Sequence, residues 1–98
     1  MDEWHSVGGT DFVWDDDKAA RNLAKHGIRF HDAATIFVDP LRVKWLDAPR
    51  VDRAIGALIG RDLHGRLVVV VHRQCDGDHI RMIAARSASC DEEKLYAQ

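Results

Sequence analysis

The segment Asn22-Leu23-Ala24-Lys25-His26-Gly27 lies at the centre of residues 14–40, the stretch that decides the fold. It forms the end of a helix predicted over residues 16–26. The three aspartates at positions 15–17 favour a helix start there. Aspartate caps helix N-termini, and its charge suits the positive end of the helix dipole. Gly27 ends the helix, since glycine readily adopts the left-handed conformation of a helix C-cap.

The predicted helix has an apolar face and a polar face. On a helical wheel the apolar face comprises Ala19, Ala20, Leu23, Ala24 and Gly27. Opposite it, Lys18, Asn22 and Lys25 form a polar stripe at spacing i, i+4, i+7. His26 lies at the border between the two faces, in the last turn.

Lys25 and His26 fit two roles. A lysine can hold negative charge and a histidine can transfer a proton, so the pair suits chemistry on a phosphate. Cationic side chains in a last helical turn also complement the negative end of the helix dipole. The spacing alone leaves both roles open.

Further elements are predicted on either side of this helix. Residues 11–14 are β-formers that lead into it, and residues 31–37 form a second helix with apolar side chains at helical spacing. After Pro40, alternation and turn signals predict strands over residues 41–46, 51–60, 67–72 and 79–85. The turns between them include Asp47-Ala48-Pro49 and Asp76-Gly77. The capping box Ser89-x-x-Glu92 begins a short C-terminal helix.

These elements predict an α+β fold. Strands joined by tight turns form an antiparallel sheet, here of about four strands. Two N-terminal helices pack against it, and a short C-terminal helix follows. Residues 11–98 form a single domain, and residues 1–10, with Gly8-Gly9, are expected to be a flexible N-terminal extension.

Composition limits the function classes. A chain of 98 residues with 46% hydrophobic residues suits one folded domain. No apolar run approaches the ~20 residues of a membrane span, and the acidic N-terminus lacks a signal-peptide pattern. We therefore expect a cytoplasmic protein without membrane contact. Cys75 and Cys90 make no metal-binding spacing and are expected to be free thiols.

Charge is unevenly distributed. The net charge is −2, but residues 1–17 hold six acids and no Lys or Arg. Residues 18–86 hold thirteen Lys or Arg and seven acids, a local net charge of +6. A basic body with acidic ends is compatible with RNA binding and equally with an ordinary solvated surface.

An ordered set of motifs over about residues 12–97 resembles one family. They are Trp14-Asp15-x-x-Lys18, Asn22-x-x-Lys25-His26-Gly27, Phe30, Ala33, Phe37, Asp39-Pro40, Ile59-Gly60, Gly65-Arg66-Leu67, Val69-Val70-Val71, Ile80-Arg81-Met82-Ile83, Ala85-Arg86-x-Ala88 and Glu93-x-x-Tyr96. Together they closely resemble the BrnT family, the ribonuclease toxins of type II toxin–antitoxin pairs.

This resemblance implies a compact RelE-like fold and metal-independent RNA cleavage that inhibits translation and growth, with no cofactor. It also implies a small DNA-binding antitoxin, BrnA-like and of ribbon-helix-helix type, that neutralises the toxin. DNA would be contacted only through the toxin–antitoxin complex. The alternative is a catalytically degenerate domain of the same fold that only binds an antitoxin-like partner.

On that basis, five residues are candidate catalytic groups. His26 suits the acid or base, because its ordinary pKa lies near neutrality. Lys25, Arg81 and Arg86 suit phosphate charge, and Tyr96 suits base stacking or proton donation. The expected RNA-binding residues are Lys18, Asn22, Lys25 and Arg81. On a regular strand Arg81 and Arg86 point to opposite faces.

A metal-dependent hydrolase is a third, weaker interpretation. His72 ends one predicted strand and His79 begins the next, so a hairpin could bring them together. No third ligand stands at a recognisable spacing, and we therefore predict no metal site.

Overall fold

The computed structural model of the chain describes residues 1–45, 55–75 and 77–97. The strands are β1 Asp2–Val7, β2 Thr10–Asp15, β3 Val43–Lys44, β4 Ile55–Arg61, β5 Leu67–Gln74 and β6 His79–Ser87. The helices are α1 Asp16–His26, α2 Phe30–Ala33 and α3 Cys90–Ala97, and a 3₁₀ helix, Ala34–Val38, continues directly from α2.

The strands form one mixed sheet of six strands in the order β1-β2-β6-β5-β4-β3. Its neighbours are antiparallel except for β2 and β6, which pair in parallel through residues 11–13 and 79–81. The predicted α+β class is confirmed, but the purely antiparallel sheet of about four strands is corrected. The additional pairings join the N-terminal strands to the last strand, and contacts so distant in sequence leave no local signal.

Residues 2–7 form an edge strand, where the sequence suggests a flexible extension. Gly8 and Gly9 have φ values of 57° and 82°, a conformation that glycine adopts without strain. They join β1 to β2 in a hairpin in which Trp4 lies opposite Val13. The hairpin crosses the predicted boundary at residue 10, so β1 belongs to the same sheet as the rest of the domain.

Helix α1 begins and ends as predicted. Asp15 is the N-cap, and its carboxylate accepts a hydrogen bond from the Lys18 backbone N–H at 3.1 Å. Gly27 has a φ of 71°, and its N–H donates to the Leu23 carbonyl at 2.8 Å. The second predicted helix, over residues 31–37, divides into α2 and the 3₁₀ helix.

Both faces of the sheet are partly covered. α2 and the 3₁₀ helix cover one face, which we call the core face. The core face is centred on Phe12, Trp14, Phe30, Ile36, Leu58, Val68, Val70 and Met82. The opposite face buries Val13, Ala57, Ile59 and Val69, and α3 packs against β4 there. The helices therefore lie against both faces of the sheet.

Several predicted features lie outside the described residues. They are the loop Asp47-Ala48-Pro49, the first four residues of the strand predicted over 51–60, the last residue of that predicted over 41–46, and Asp76 of the Asp76-Gly77 turn. No helix in the described part of the chain is long and apolar enough to cross a membrane.

Candidate nucleic-acid interface

Asn22 attaches α1 to the edge of β6 beyond the short β2–β6 pairing. Its side-chain Nδ2 donates to the Ala85 carbonyl at 2.8 Å and to the Ile28 carbonyl at 3.0 Å. Its Oδ1 accepts from the Ala85 N–H at 3.0 Å. Asn22 is only 8% exposed, and both of its amide protons are used inside the protein. The predicted RNA contact by Asn22 is therefore corrected to a structural role.

The exposed side of α1 carries a group of cations. Lys18, Arg21 and Lys25 are exposed and His26 is half-buried. With Ile83 and Ala84 of β6, they line a shallow concavity of about 340 Å³. Within the part of the chain that the structure describes, none of these four side chains forms a hydrogen bond or ion pair. We call this concavity the α1 basic surface.

Arg21 was missed in the sequence. It follows Lys18 by three residues and precedes Lys25 by four, which is the spacing of a continuous helical stripe. Asn22, one position later, fits the same polar stripe on the helical wheel almost equally well. Only the position of the sheet edge shows that Asn22 is buried whereas Arg21 is exposed.

A β-bulge in β6 brings two predicted residues to one face. Val71 pairs with Ala84 and His72 pairs with Met82, so Ile83 is an extra residue in the strand. Side chains alternate along a regular strand, and one extra residue reverses the alternation. Arg81 and Arg86 therefore lie on the same face as Ala84, opposite the core face. The sequence-based expectation of opposite faces is corrected.

Arg81 is held by the N-terminal strand. Its Nη2 and Nη1 donate to the two carboxylate oxygens of Asp2 at 2.8 and 3.3 Å. The hydrogen bonds from Arg81 lower the pKa of Asp2, and the carboxylate raises the pKa of Arg81. A carboxylate thus occupies the guanidinium fork that would grip a phosphate.

Arg86 attaches α3 to the sheet. Its guanidinium donates both Nη1 and Nη2 to the Glu92 carboxylate at 2.7 Å, and its Cζ lies 5.8 Å from the centre of the Trp45 ring. Glu92 is 5% exposed and also completes the capping box with Ser89. The hydrogen bonds from Arg86 lower the pKa of Glu92 to about 2. Arg86 is thus engaged in an ion pair with a buried carboxylate.

Tyr96 lies at the far end of α3. Its hydroxyl donates to Asp39 at 2.7 Å, and the Arg61 guanidinium lies over its ring at 5.4 Å. Burial and this hydrogen bond raise the pKa of Tyr96. Arg61 belongs to β4, and β5 separates it from β6. Tyr96 is therefore not brought to the α1 basic surface.

The two histidines of the metal hypothesis lie on opposite faces. His72 is on the core face, where its ring contacts Phe37, whereas His79 lies against Trp4 of β1. Among the described residues, three potential metal ligands come together only at Asp15, Asp16 and Asp17. Asp15 is the N-cap of α1, and Asp16 and Asp17 lie in its first turn, so these three aspartates form the start of a helix.

Comparison with known proteins identifies the class. The structure is similar to the 1.1 Å crystal structure of the Brucella abortus ribonuclease toxin BrnT, with a TM-score of 0.60 and 23% sequence identity. The match covers 78% of this chain and 92% of that chain. By its fold, the protein is thus a small α+β domain of the class found in that toxin.

The family follows from the sequence. A family model described as ribonuclease toxin, BrnT, of type II toxin-antitoxin system matches residues 14–92. The chain therefore belongs to the BrnT family of ribonuclease toxins. No curated protein sequence matches it. The family match begins at Trp14, so β1 and most of β2 lie before the matched region.

Proposed function

We propose that this protein is a cytoplasmic endoribonuclease toxin that cleaves RNA without a metal ion or other cofactor, on the α1 basic surface. The observation that carries the proposal is the presence of three cations and a histidine, without partners among the described residues, in one concavity beside β6. Exposed cations that are not already neutralised are available to RNA phosphates.

In this scheme the RNA 2′-OH attacks the adjacent phosphorus. His26 performs one of the two proton transfers, from the 2′-OH or to the departing 5′-oxygen, and water performs the other. Lys25, with Lys18 and Arg21, stabilises negative charge on the phosphate. A turn of about 100° separates adjacent side chains on a helix. Lys25 and His26 nevertheless both line the concavity.

Arg81, Arg86 and Tyr96 have different roles in the proposal. Arg81 lies on the same face of β6 as Ala84, and it contacts a phosphate once RNA displaces the exposed Asp2 carboxylate. Arg86 and Tyr96 hold the two ends of α3 and act as positioning residues. The carboxylates of Glu92 and Asp39 would each lose a side-chain hydrogen-bond partner if Arg86 or Tyr96 moved to RNA, and would keep only their backbone donors.

The partner in this proposal is a BrnA-like ribbon-helix-helix antitoxin. Membership of a type II toxin family supports an antitoxin partner in general. The antitoxin covers the α1 basic surface and excludes RNA, and DNA is bound only by the complex. Release of the toxin stops translation and growth.

The deciding test is cleavage of a defined RNA by antitoxin-free protein in EDTA. His26→Gln keeps size and hydrogen bonding but cannot titrate near neutrality. We expect cleavage to fall by about 100-fold or more, with unfolding and antitoxin binding unchanged. Equal rates for His26→Gln and wild type would remove His26 from the mechanism, and loss of wild-type activity in EDTA would contradict metal independence.

A catalytically degenerate interaction domain is the second candidate. Three of the five predicted catalytic side chains favour it, because they already bond to carboxylates. These are Arg81, Arg86 and Tyr96. In that case the wild-type chain binds an antitoxin but neither cleaves RNA nor arrests growth. The same assay separates the two.

A further inference from the structure

A second concavity lies on the core face, away from the α1 basic surface. Among the described residues, α2 and the 3₁₀ helix cover the core face only as far as Phe37, and beyond it β4 and β5 line a cleft. The resulting cleft has a volume of about 330 Å³. Its floor includes Gly56, Leu58 and His72, and Phe37 and Ile80 form its sides. We call it the His72 cleft.

His72 has a buried nitrogen atom without a partner. Its Nδ1 forms no hydrogen bond to any described residue and is shielded from solvent. Burial, and secondarily the charge of Lys44, lower the pKa of His72 and so favour its neutral form. A neutral imidazole nitrogen can donate or accept one hydrogen bond. Buried polar atoms usually have partners, so this one suits a group in the cleft that it can reach when the imidazole turns about its χ2 torsion.

Gly56 keeps the floor of the cleft open. A Cβ on this residue would lie 3.1 Å from His72 Cε1 and 3.3 Å from His72 Nε2. Any larger residue would therefore push against the imidazole. The absence of a side chain lets the ring lie flat against β4 and leaves space above it.

The rim of the cleft is positively charged. Arg42 and Lys44 line it and are both exposed. Arg42 Nη1 donates to the Asp39 carbonyl at 3.0 Å, which positions the guanidinium. The apolar and aromatic walls and the unpartnered ring nitrogen match the base of a nucleotide, and the two cations at the mouth match its phosphate. Bases stack on Phe and His rings, and cations bind the phosphate.

We infer that the His72 cleft binds one nucleotide of an RNA strand. The base packs between Phe37 and Ile80 and bonds to His72 Nδ1, and its phosphate contacts Arg42 and Lys44. A cleft of this size lies at the lower end of the range for ligand sites, which suits one nucleotide. RNA is taken as the source because RNA cleavage is the function proposed above. The cleft is then a specificity site, separate from the residues that perform the chemistry.

The test is a titration followed by NMR on the full-length chain made by cell-free synthesis. The probes are the four 5′-mononucleotides, ribose 5-phosphate, and trinucleotides carrying 2′-O-methyl groups, which block cleavage. We expect saturable shifts of the His72 ring nitrogens and of the Leu58 and Ile80 methyl groups. Ribose 5-phosphate should bind at least about fivefold more weakly than the best mononucleotide, because it lacks the stacking base. The best trinucleotide should bind more tightly than any mononucleotide.

Variants separate the parts of the cleft. Lys44→Ala should weaken binding about threefold to tenfold by removing one phosphate contact. The matched control is Lys94→Ala, an exposed lysine on α3, which should bind like wild type. His72→Phe keeps a ring of similar shape and should remove the preference among bases. Gly56→Ala should weaken the binding of every nucleotide, because the added Cβ crowds His72.

Three results would overturn the inference. They are absence of saturable shifts in the cleft with every nucleotide, equal binding of ribose 5-phosphate, and trinucleotides that bind no better than mononucleotides. Failure here is distinct from failure of the proposed function, because the titration does not depend on cleavage. If the protein cleaves RNA but its cleft does not respond to nucleotides, only the inference that the cleft binds a nucleotide is contradicted. If the cleft binds RNA but the protein does not cleave it, only the proposed endoribonuclease function is contradicted.

Discussion

Asn22 pairs through its side-chain amide with both main-chain groups of Ala85, at 2.8 and 3.0 Å. The amide thus takes the place of a strand residue at the edge of β6, where β2 has already ended. Since α1 is attached to the sheet at this point, Asn22 positions the exposed cations on the other side of the helix.

Replacing Asn22 should therefore destabilise the whole domain. Asn22→Ala removes three hydrogen bonds and leaves the Ala85 N–H and carbonyl without their partner. We expect a loss of about 2–4 kcal/mol in the free energy of unfolding, measured in urea. The neighbouring exposed variant Arg21→Ala should change it by less than about 0.5 kcal/mol. Equal midpoints for the two variants would contradict the anchoring role.

The cations of α1 should determine the salt dependence of RNA binding. For single-stranded RNA, each phosphate contact contributes about 0.7 to the slope of log K against log salt. Lys25→Ala, Lys18→Ala and Arg21→Ala should each reduce the slope by about that amount, measured by fluorescence anisotropy. Lys94→Ala is the control and should leave it unchanged. If all four variants give the wild-type slope, RNA binds elsewhere.

Asp2 should limit the contribution of Arg81 to RNA binding. Asp2→Asn removes the charge that occupies the guanidinium fork, and RNA affinity should rise about twofold to fivefold at low salt. The increase should vanish in Asp2→Asn/Arg81→Ala. Asp91→Asn, on α3, makes the same change in net charge at an exposed aspartate. An equal gain from Asp91→Asn would assign the effect to net charge alone.

The Arg86–Glu92 pair should make stability depend on acid pH. The pKa of Glu92 is about 2 in the folded protein and near its ordinary value of 4.5 when unfolded. Because the folded pKa is the lower one, the pair stabilises the fold above about pH 4.5. That stabilisation is lost as the pH falls towards 2. We expect a contribution on the order of 2 kcal/mol, allowing for solvent screening of the half-exposed guanidinium.

Glu92→Gln tests this pair directly. Its free energy of unfolding should be lower than that of wild type at pH 7, and the difference should shrink between about pH 4.5 and pH 2. Glu93→Gln, its exposed neighbour, provides the control. A constant difference across this range would show that Glu92 acts by packing and not by charge.

Local signals predicted α1 well because they lie within the helix itself. Asp15 and Gly27 act on their own backbone neighbours, so their effect can be read from the sequence. The parallel β2–β6 pairing joins residues 11–13 to 79–81, and no local pattern indicates such a contact. The strand β1 was missed because its acidic and polar side chains, such as Asp2 and Glu3, lack an apolar alternation.

The candidate site was predicted only in part, for a similar reason. Lys18, Lys25 and His26 were recognisable from helical spacing. The bulge at Ile83 has no sequence signature, and it decides which face Arg81 occupies relative to Arg86. Asn22 was placed among RNA contacts because a helical wheel does not show that a sheet edge lies beside it.

The last strand of the chain, β6, lies in the interior of the sheet, between β2 and β5. During synthesis the N-terminal hairpin with α1 and the β4–β5 hairpin can each form early. Their strands cannot become one sheet until residues 79–87 have emerged, since β6 lies between them in the strand order. A chain truncated before β6 would leave Asn22 without Ala85 and expose the sheet edges of both halves, which favours aggregation. The topology thus makes assembly of the sheet depend on the strand that is made last, and the RNA cleavage proposed for the α1 basic surface requires that strand to be in place.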